Sequence, residues 1–287
     1  VEQDKMTRTK VSALTLLTLV GFAGNSLLCR SALTETNIDA ASFTTIRITS
    51  GALLLYLILK IKGKSVVGKG TWLSAIALVF YAAGFSFAYM NLTAATGSLL
   101  LFSTVQITMI SHGLWFGERL VKPQYTGLIL AMGGLVYFLL PGLSTPPLGG
   151  CLFMIGAGIS WGMYSLRGKK TVDAVATTAG NFMRAAPIAI LLSALRYHAV
   201  VFDINGVLYA IVSGALATAM IYVVWYTVVP ELKETSAAVA QLAVPVIAAL
   251  GGIILLGEPI TLRYALSAVA ILSGILLVIR EKQCFIC

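Results

Sequence analysis

Residues 242–279 read LAVPVIAALGGIILLGEPITLRYALSAVAILSGILLVI. Two apolar runs meet at Gly257-Glu258-Pro259, and each approaches the roughly 20 residues that an α-helix needs to cross the hydrocarbon of a bilayer. The pair reads as a membrane hairpin, with Pro245 in its first arm, Gly274 in its second and a carboxylate at the turn. An earlier stretch, FGERLVKPQYTGLILAMGGLVYFL at 116–139, carries the same punctuation. Gly117, Glu118 and Gly134 precede Gly257, Glu258 and Gly274 by a constant 140 residues. Arg47 and Arg184 are 137 apart, and Gly24 and Gly162 are 138 apart, so the correspondence extends through both halves of the chain.

Working outward, apolar runs broken by charge or by Gly, Pro and Asn predict ten spans. In the first half they are Val11–Cys29, Ala40–Leu59, Trp72–Met90, Thr93–Phe116 and Tyr125–Leu140. In the second they are Leu148–Tyr164, Ala174–Leu195, Val207–Val229, Thr235–Leu256 and Ile260–Ile279. The expected fold class is therefore all-α integral membrane, with 1–144 and 145–287 as two five-helix repeats of one membrane domain around a central cavity. An odd number of spans per repeat threads the second copy in from the opposite side, an inverted-topology repeat. Basic residues agree with an even total. With both termini cytoplasmic, 15 Lys and Arg fall on that side and only Arg30, Arg196 and Arg263 on the other. The expected location is a bacterial inner membrane.

Composition excludes much. Of 287 residues, 58% are hydrophobic and 11% charged, with a mean hydropathy of +0.92, which leaves no room for a soluble catalytic domain. The net charge of +9 reads as an orientation signal and as contact with anionic lipid, with no nucleic-acid partner. Four dispersed cysteines make no disulfide scaffold, and the terminal CFIC run lacks a redox fold or polybasic flank. No HExxH arrangement occurs, and the two histidines are far apart, so an intramembrane enzyme is disfavoured. Neither a catalytic residue, a metal nor a cofactor is expected.

The quoted hairpins resemble the drug/metabolite transporter superfamily, specifically its EamA-type ten-helix branch. The pattern is Pro in the ninth helix, Gly-Glu at its end, and a final helix with a central Gly, here Pro245, Gly257, Glu258 and Gly274. The first half matches through Gly117, Glu118, Gly127 and Gly134, and departs by offering Val105 and Gln106 where a Pro is often found. The resemblance implies a transporter in which helices one, three, four, six, eight and nine surround the cavity while five and ten stay peripheral. Within the branch, the Trp161-Gly162-Met163-Tyr164 run resembles exporters of aromatic amino acids.

Residue chemistry sharpens this. Tyr81, Phe85 and Tyr89 share one face of the third helix, and Tyr222, Trp225, Tyr226 and Val229 one face of the eighth. Tyr81 and Tyr222 fall near mid-span, while Trp161 and Tyr164 sit together on the sixth helix, placed to stack on an aromatic or cationic solute. Asn25, Gln106 and Gln241 add uncharged donors and acceptors suited to a neutral or zwitterionic solute. Pro245 frees a backbone carbonyl near Gln241 and predicts a hinge. All 11 acidic residues lie in loops or at helix ends, which argues against proton exchange on a membrane carboxylate and for facilitated diffusion. His112 is the remaining candidate for a proton relay.

Arg47, Arg184, Glu118 and Glu258 are expected to be structural. The arginines' symmetry favours helix capping or snorkelling over a clamp on one asymmetric solute. The leading expectation is export of small organic solutes, aromatic amino acids first, by alternating access from a monomer or loose dimer in contact with membrane lipids. Alternatives are an organophosphate or other metabolite carrier using Arg47 and Arg184, a proton-coupled drug exporter, and a receptor that moves nothing.

Overall fold

The structure is a computed structural model that describes residues 6–65, 69–115, 122–140, 146–168, 171–232, 240–241 and 243–284. It is all-helical among those residues, and the rods number ten. The first half holds α1 (Arg8–Glu35), α2 (Ala40–Ile61), α3 (Trp72–Tyr89), α4 (Ala94–Trp115) and α5 (Lys122–Leu139). The second holds α6 (Leu148–Gly168), α7 (Ala174–Leu195), α8 (Ile204–Glu231), α9 (Ala243–Leu256) and α10 (Leu262–Cys284). Seven of these are long and apolar enough to cross a membrane, while α9 and α10 are shorter apolar helices among the described residues. Apolar side chains also cover the outside, as at Phe80, Ile129, Ile254 and Leu255, which suits lipid rather than water.

Three of the acids placed outside the spans prove to be helix caps. Asp39, Asp173 and Asp203 accept backbone N–H groups at the starts of α2, α7 and α8, satisfying donors that have no partner within the helix. Two of them also tie loops together, since Asp39 accepts the Val201 amide at 3.0 Å and Asp203 accepts the Asn37 amide at 3.3 Å. Thr7 and Thr71 cap α1 and α3 in the same way.

Helix packing carries the repeat. Exchanging each helix of one half for its counterpart in the other (α1 with α6, α2 with α7, and so on) turns α3·α6 into α8·α1 and α4·α6 into α9·α1. It leaves α2·α7, α4·α9 and α5·α10 unchanged, and all of these pairs are packed together. A two-fold relation between halves of five spans places the axis in the membrane plane. The α5·α10 pair shows it at atomic scale. A Cβ at Gly134 would meet Ala270 and Ile271, and one at Gly274 would meet the Gly127 carbonyl and Ala131. Tyr264 is buried in this pair against Phe138.

The sequence gives no sign of one feature. The middle of α8, Ser213–Met220, is a π-helix, whose wider turn is rare and tends to occur at functional sites. There Gly214 lies on the Arg47 carbonyl of α2, where any Cβ would collide with backbone.

Candidate functional site

Between the two halves lies a small cavity lined by Phe22, Asn25 and Ser26 of α1, Tyr81 and Phe85 of α3, Leu101 and Phe102 of α4, Trp161 of α6 and Tyr222 of α8. Its volume is about 10 Å³, room for a single water, and every lining residue is at most 6% exposed. This is a closed chamber, with aromatic rings in contact across it. Trp161 sits 4.5 Å from Tyr222 and 5.1 Å from Tyr81 between ring centroids. Phe22 joins the two halves, at 6.2 Å from Phe102 and 5.7 Å from Trp161.

Glycine spacing explains how Trp161 reaches this position. Gly158 and Gly162 flank it and pack on Thr104 and Thr108, with the Leu101 carbonyl close by, so α6 lies directly against α4. The stripe on α3 holds as a run of ring contacts, with Tyr81 tilted 5.4 Å from Phe85 and Phe85 edge-on 4.7 Å from Tyr89. Below the chamber a second aromatic layer forms, in which Tyr164 stacks on Trp161 and on Tyr226 at 5.6 Å each. The Tyr164 hydroxyl accepts from Asn181 at 3.3 Å. Tyr164 is therefore behind the wall rather than in it.

Asn25 is the polar hub. Its Nδ2 donates to the Tyr81 hydroxyl at 3.4 Å, and its Oδ1 accepts from Ser213 at 2.7 Å and Thr218 at 3.2 Å. Both donors lie on the π-helical turn, which connects that irregularity to the chamber. Gln106 and Gln241 are buried but are not among the lining residues. Pro245 sits in the first turn of the described part of α9, so the backbone one turn earlier falls at the edge of the described residues. His112 is exposed near the end of α4, away from the chamber.

The two arginines, matched in sequence, behave differently. Arg184 donates from Nη1 to the Lys69 and Gly180 carbonyls and lies over the Trp72 ring, fastening α7 to the segment before α3. Arg47 is fully buried, and among the described residues none of its three side-chain nitrogens has a partner at hydrogen-bond distance. Its guanidinium carbon lies 5.4 Å from the Tyr81 ring centroid and 4.9 Å from that of Phe85, against two walls of the chamber. It neither caps a helix nor reaches an interface, as the sequence reading had it.

At one end of the bundle Glu258 accepts from Arg30 Nε at 2.9 Å and from the Ala94 amide at 2.8 Å. Arg30 also donates to the Tyr89 carbonyl at 2.8 Å. One ion pair thus joins α1, the end of α3, the start of α4 and the α9–α10 turn, where Gly257 takes a φ of +61° that favours glycine. Its sequence counterpart, Glu118, lies outside the described residues.

A family model described as the EamA-like transporter family matches residues 9–140 and again 148–280. The chain belongs to the EamA-like transporter family. The double match is the duplication seen in the packing, and it makes the protein a membrane transporter and not an enzyme. An uncharacterized protein of Pseudomonas aeruginosa is 48% identical over 94% of this chain and 94% of its own length. The uncharacterized transporter YoaV of Bacillus subtilis is 26% identical over 81% and 85% of the two chains. A solved crystal structure superposes with a TM-score of 0.68 at 15% identity, covering 98% of this chain and 100% of the other, a likeness of fold.

Four lining residues escaped the sequence reading: Phe22, Ser26, Leu101 and Phe102. For the first two a signal was present, because Phe22 lies one turn before Asn25 and Ser26 is next to it. Leu101 has none, being one apolar residue among many in α4.

Proposed function

We propose that this transporter exports small organic solutes, aromatic amino acids first, by alternating access, with the solute's own gradient as driving force. The observation that carries this reading is the aromatic chamber at the interface of the two repeats. Rings from α1, α3 and α4 face rings from α6 and α8. A site at the boundary between inverted repeats is where rocking of one half against the other exposes a bound solute to each side in turn. Stacked and edge-on contacts are worth about 0.5–1.5 kcal/mol per aromatic pair, so an aromatic solute can replace ring–ring contacts of the closed chamber with its own. Facilitated diffusion fits a chamber without a carboxylate among its lining residues. The proposed setting is a bacterial inner membrane with both termini cytoplasmic, in a monomer or loose dimer.

Flux of phenylalanine, tyrosine, tryptophan and leucine into proteoliposomes, with and without a proton gradient, tests the reading. Aromatic flux indifferent to the gradient, and reduced about tenfold or more in Trp161→Ala, is the expected result. Equal flux of leucine and phenylalanine with no effect of Trp161→Ala would remove the chamber from the mechanism. The phosphate-carrier alternative loses ground on geometry, because Arg184 is engaged with backbone carbonyls away from Arg47.

A further inference from the structure

We infer that Arg47 is the anchor for a carboxylate group on the solute, so that the protein selects aromatic monocarboxylates and does not require an amine. The inference rests on the reading of the aromatic chamber as the solute site and adds the chemistry of the solute's polar end.

A guanidinium stays protonated in proteins and brings five N–H donors in a planar fork. Burying one without partners is among the most unfavourable arrangements a fold can hold, and such groups persist where function keeps them. Arg47 is in that position, at 0% exposure with no partner for Nε, Nη1 or Nη2. The Tyr81 and Phe85 faces lend it cation–π contact, and among the described residues no acceptor lies at hydrogen-bond distance from its N–H groups. It is not alone. The Tyr222 hydroxyl and the Ser26 hydroxyl, both on lining residues of the same chamber, are likewise buried without a partner.

Two hydroxyls line the space and a cationic fork sits behind two of its rings, and the lining residues include no carboxylate. A planar carboxylate accepts from the fork in bidentate fashion. One positive charge is neutralised by one negative charge, so a monoanion closes the electrostatic balance where a phosphate dianion leaves an excess. An α-ammonium meets aromatic faces, the Ser26 and Tyr222 hydroxyls and the already engaged Asn25, with no carboxylate among the lining residues to balance its charge. It is tolerated and not demanded. Arg47 is placed to act through Tyr81 and Phe85, whose rings lie between its guanidinium and the chamber, so entry of the solute requires these rings to turn aside.

The test uses the full chain in proteoliposomes with four probes sharing one ring: 3-phenylpropionate, phenylalanine, phenylalaninamide and phenyl phosphate. Flux is measured for the unaltered protein, Arg47→Met and Arg47→Lys, together with the melting temperature of each. The expected result is flux of 3-phenylpropionate and phenylalanine and about 100-fold less of the amide and the phosphate. Arg47→Met should lose about 100-fold in 3-phenylpropionate flux while its melting temperature rises, because an uncompensated buried charge has been removed. Arg47→Lys should retain an intermediate flux.

Amide flux equal to that of the acid overturns the inference, as does full 3-phenylpropionate flux in Arg47→Met. A fall in melting temperature together with flux in Arg47→Met overturns it in favour of a structural arginine. Should that variant fail to fold, the acid-to-amide ratio of the unaltered protein decides alone. If aliphatic carboxylates cross in an Arg47-dependent manner while no aromatic solute does, the aromatic reading falls and the anchor stands.

Discussion

Replacing Glu258 with Gln should open the end of the bundle that this residue closes. The carboxylate receives two N–H donors, Arg30 Nε at 2.9 Å and the Ala94 amide at the start of α4 at 2.8 Å. Hydrogen bonds to a charged group contribute about 1.5–3 kcal/mol each. A Gln side chain keeps one acceptor and turns an NH₂ toward the other donor, so about one such bond is lost. The side chains are 18% and 10% exposed, which screens the pair only weakly. The net loss is about 2 kcal/mol, equivalent to a shift of about 30-fold toward the open form.

Cys29 supplies the assay. It is a free thiol, fully buried, next to Arg30 in α1. With Cys151, Cys284 and Cys287 replaced by Ser, a membrane-impermeant maleimide should label Cys29 about 30-fold faster in Glu258→Gln than in its parent, because the rate follows the open population. Arg30→Gln should do the same, and the double variant should add little to either single one, since both remove a single interaction. Labelling within about threefold of the parent, or effects that simply add, would refute the ion pair as a closure.

Other outcomes follow from the packing and the loops. Gly214→Ala forces a Cβ onto the Arg47 carbonyl where α8 crosses α2, and should cost about 1–3 kcal/mol, read as a lower melting temperature; an unchanged temperature would show that the crossing has slack. Asp173, held below the usual carboxylate range by the Ala176 amide, against its partial burial, and by Lys64, should stabilise the fold at neutral pH and lose that contribution as pH falls through its depressed pKa. The stability gap between the unaltered protein and Asp173→Asn should therefore be constant near neutrality and shrink in acid, and a gap that widens in acid contradicts the cap. Glu118→Cys and Glu258→Cys should be labelled from opposite sides of the membrane, and labelling from the same side would end the inverted arrangement.

The fold class was legible because membrane helices write themselves locally. Length, apolar runs and Gly-Glu-Pro breaks such as 257–259 depend on no distant contact, and the offset of 140 between Gly134 and Gly274 reported a duplication whose contacts mirror each other in α5 and α10. Helical spacing likewise brought Tyr81 and Phe85 onto one face, and the flanking glycines of Trp161 marked a close helix contact. What the chain alone could not settle was which of several similar faces meet. Gln106 reads like Asn25 in sequence, yet only Asn25 lies at the chamber, because helix rotation is set by packing between helices far apart in the chain. The π-helical turn of α8 is likewise invisible to propensity.

Arg47 and Arg184 make the sharpest case. Their sequence positions correspond, but a carbonyl from the segment before α3 comes within reach of Arg184 and, among the described residues, none comes within reach of Arg47. Whether a charge is satisfied depends on atoms contributed by other helices, so the tertiary structure alone separates a brace from an unpartnered cation at the centre of the molecule.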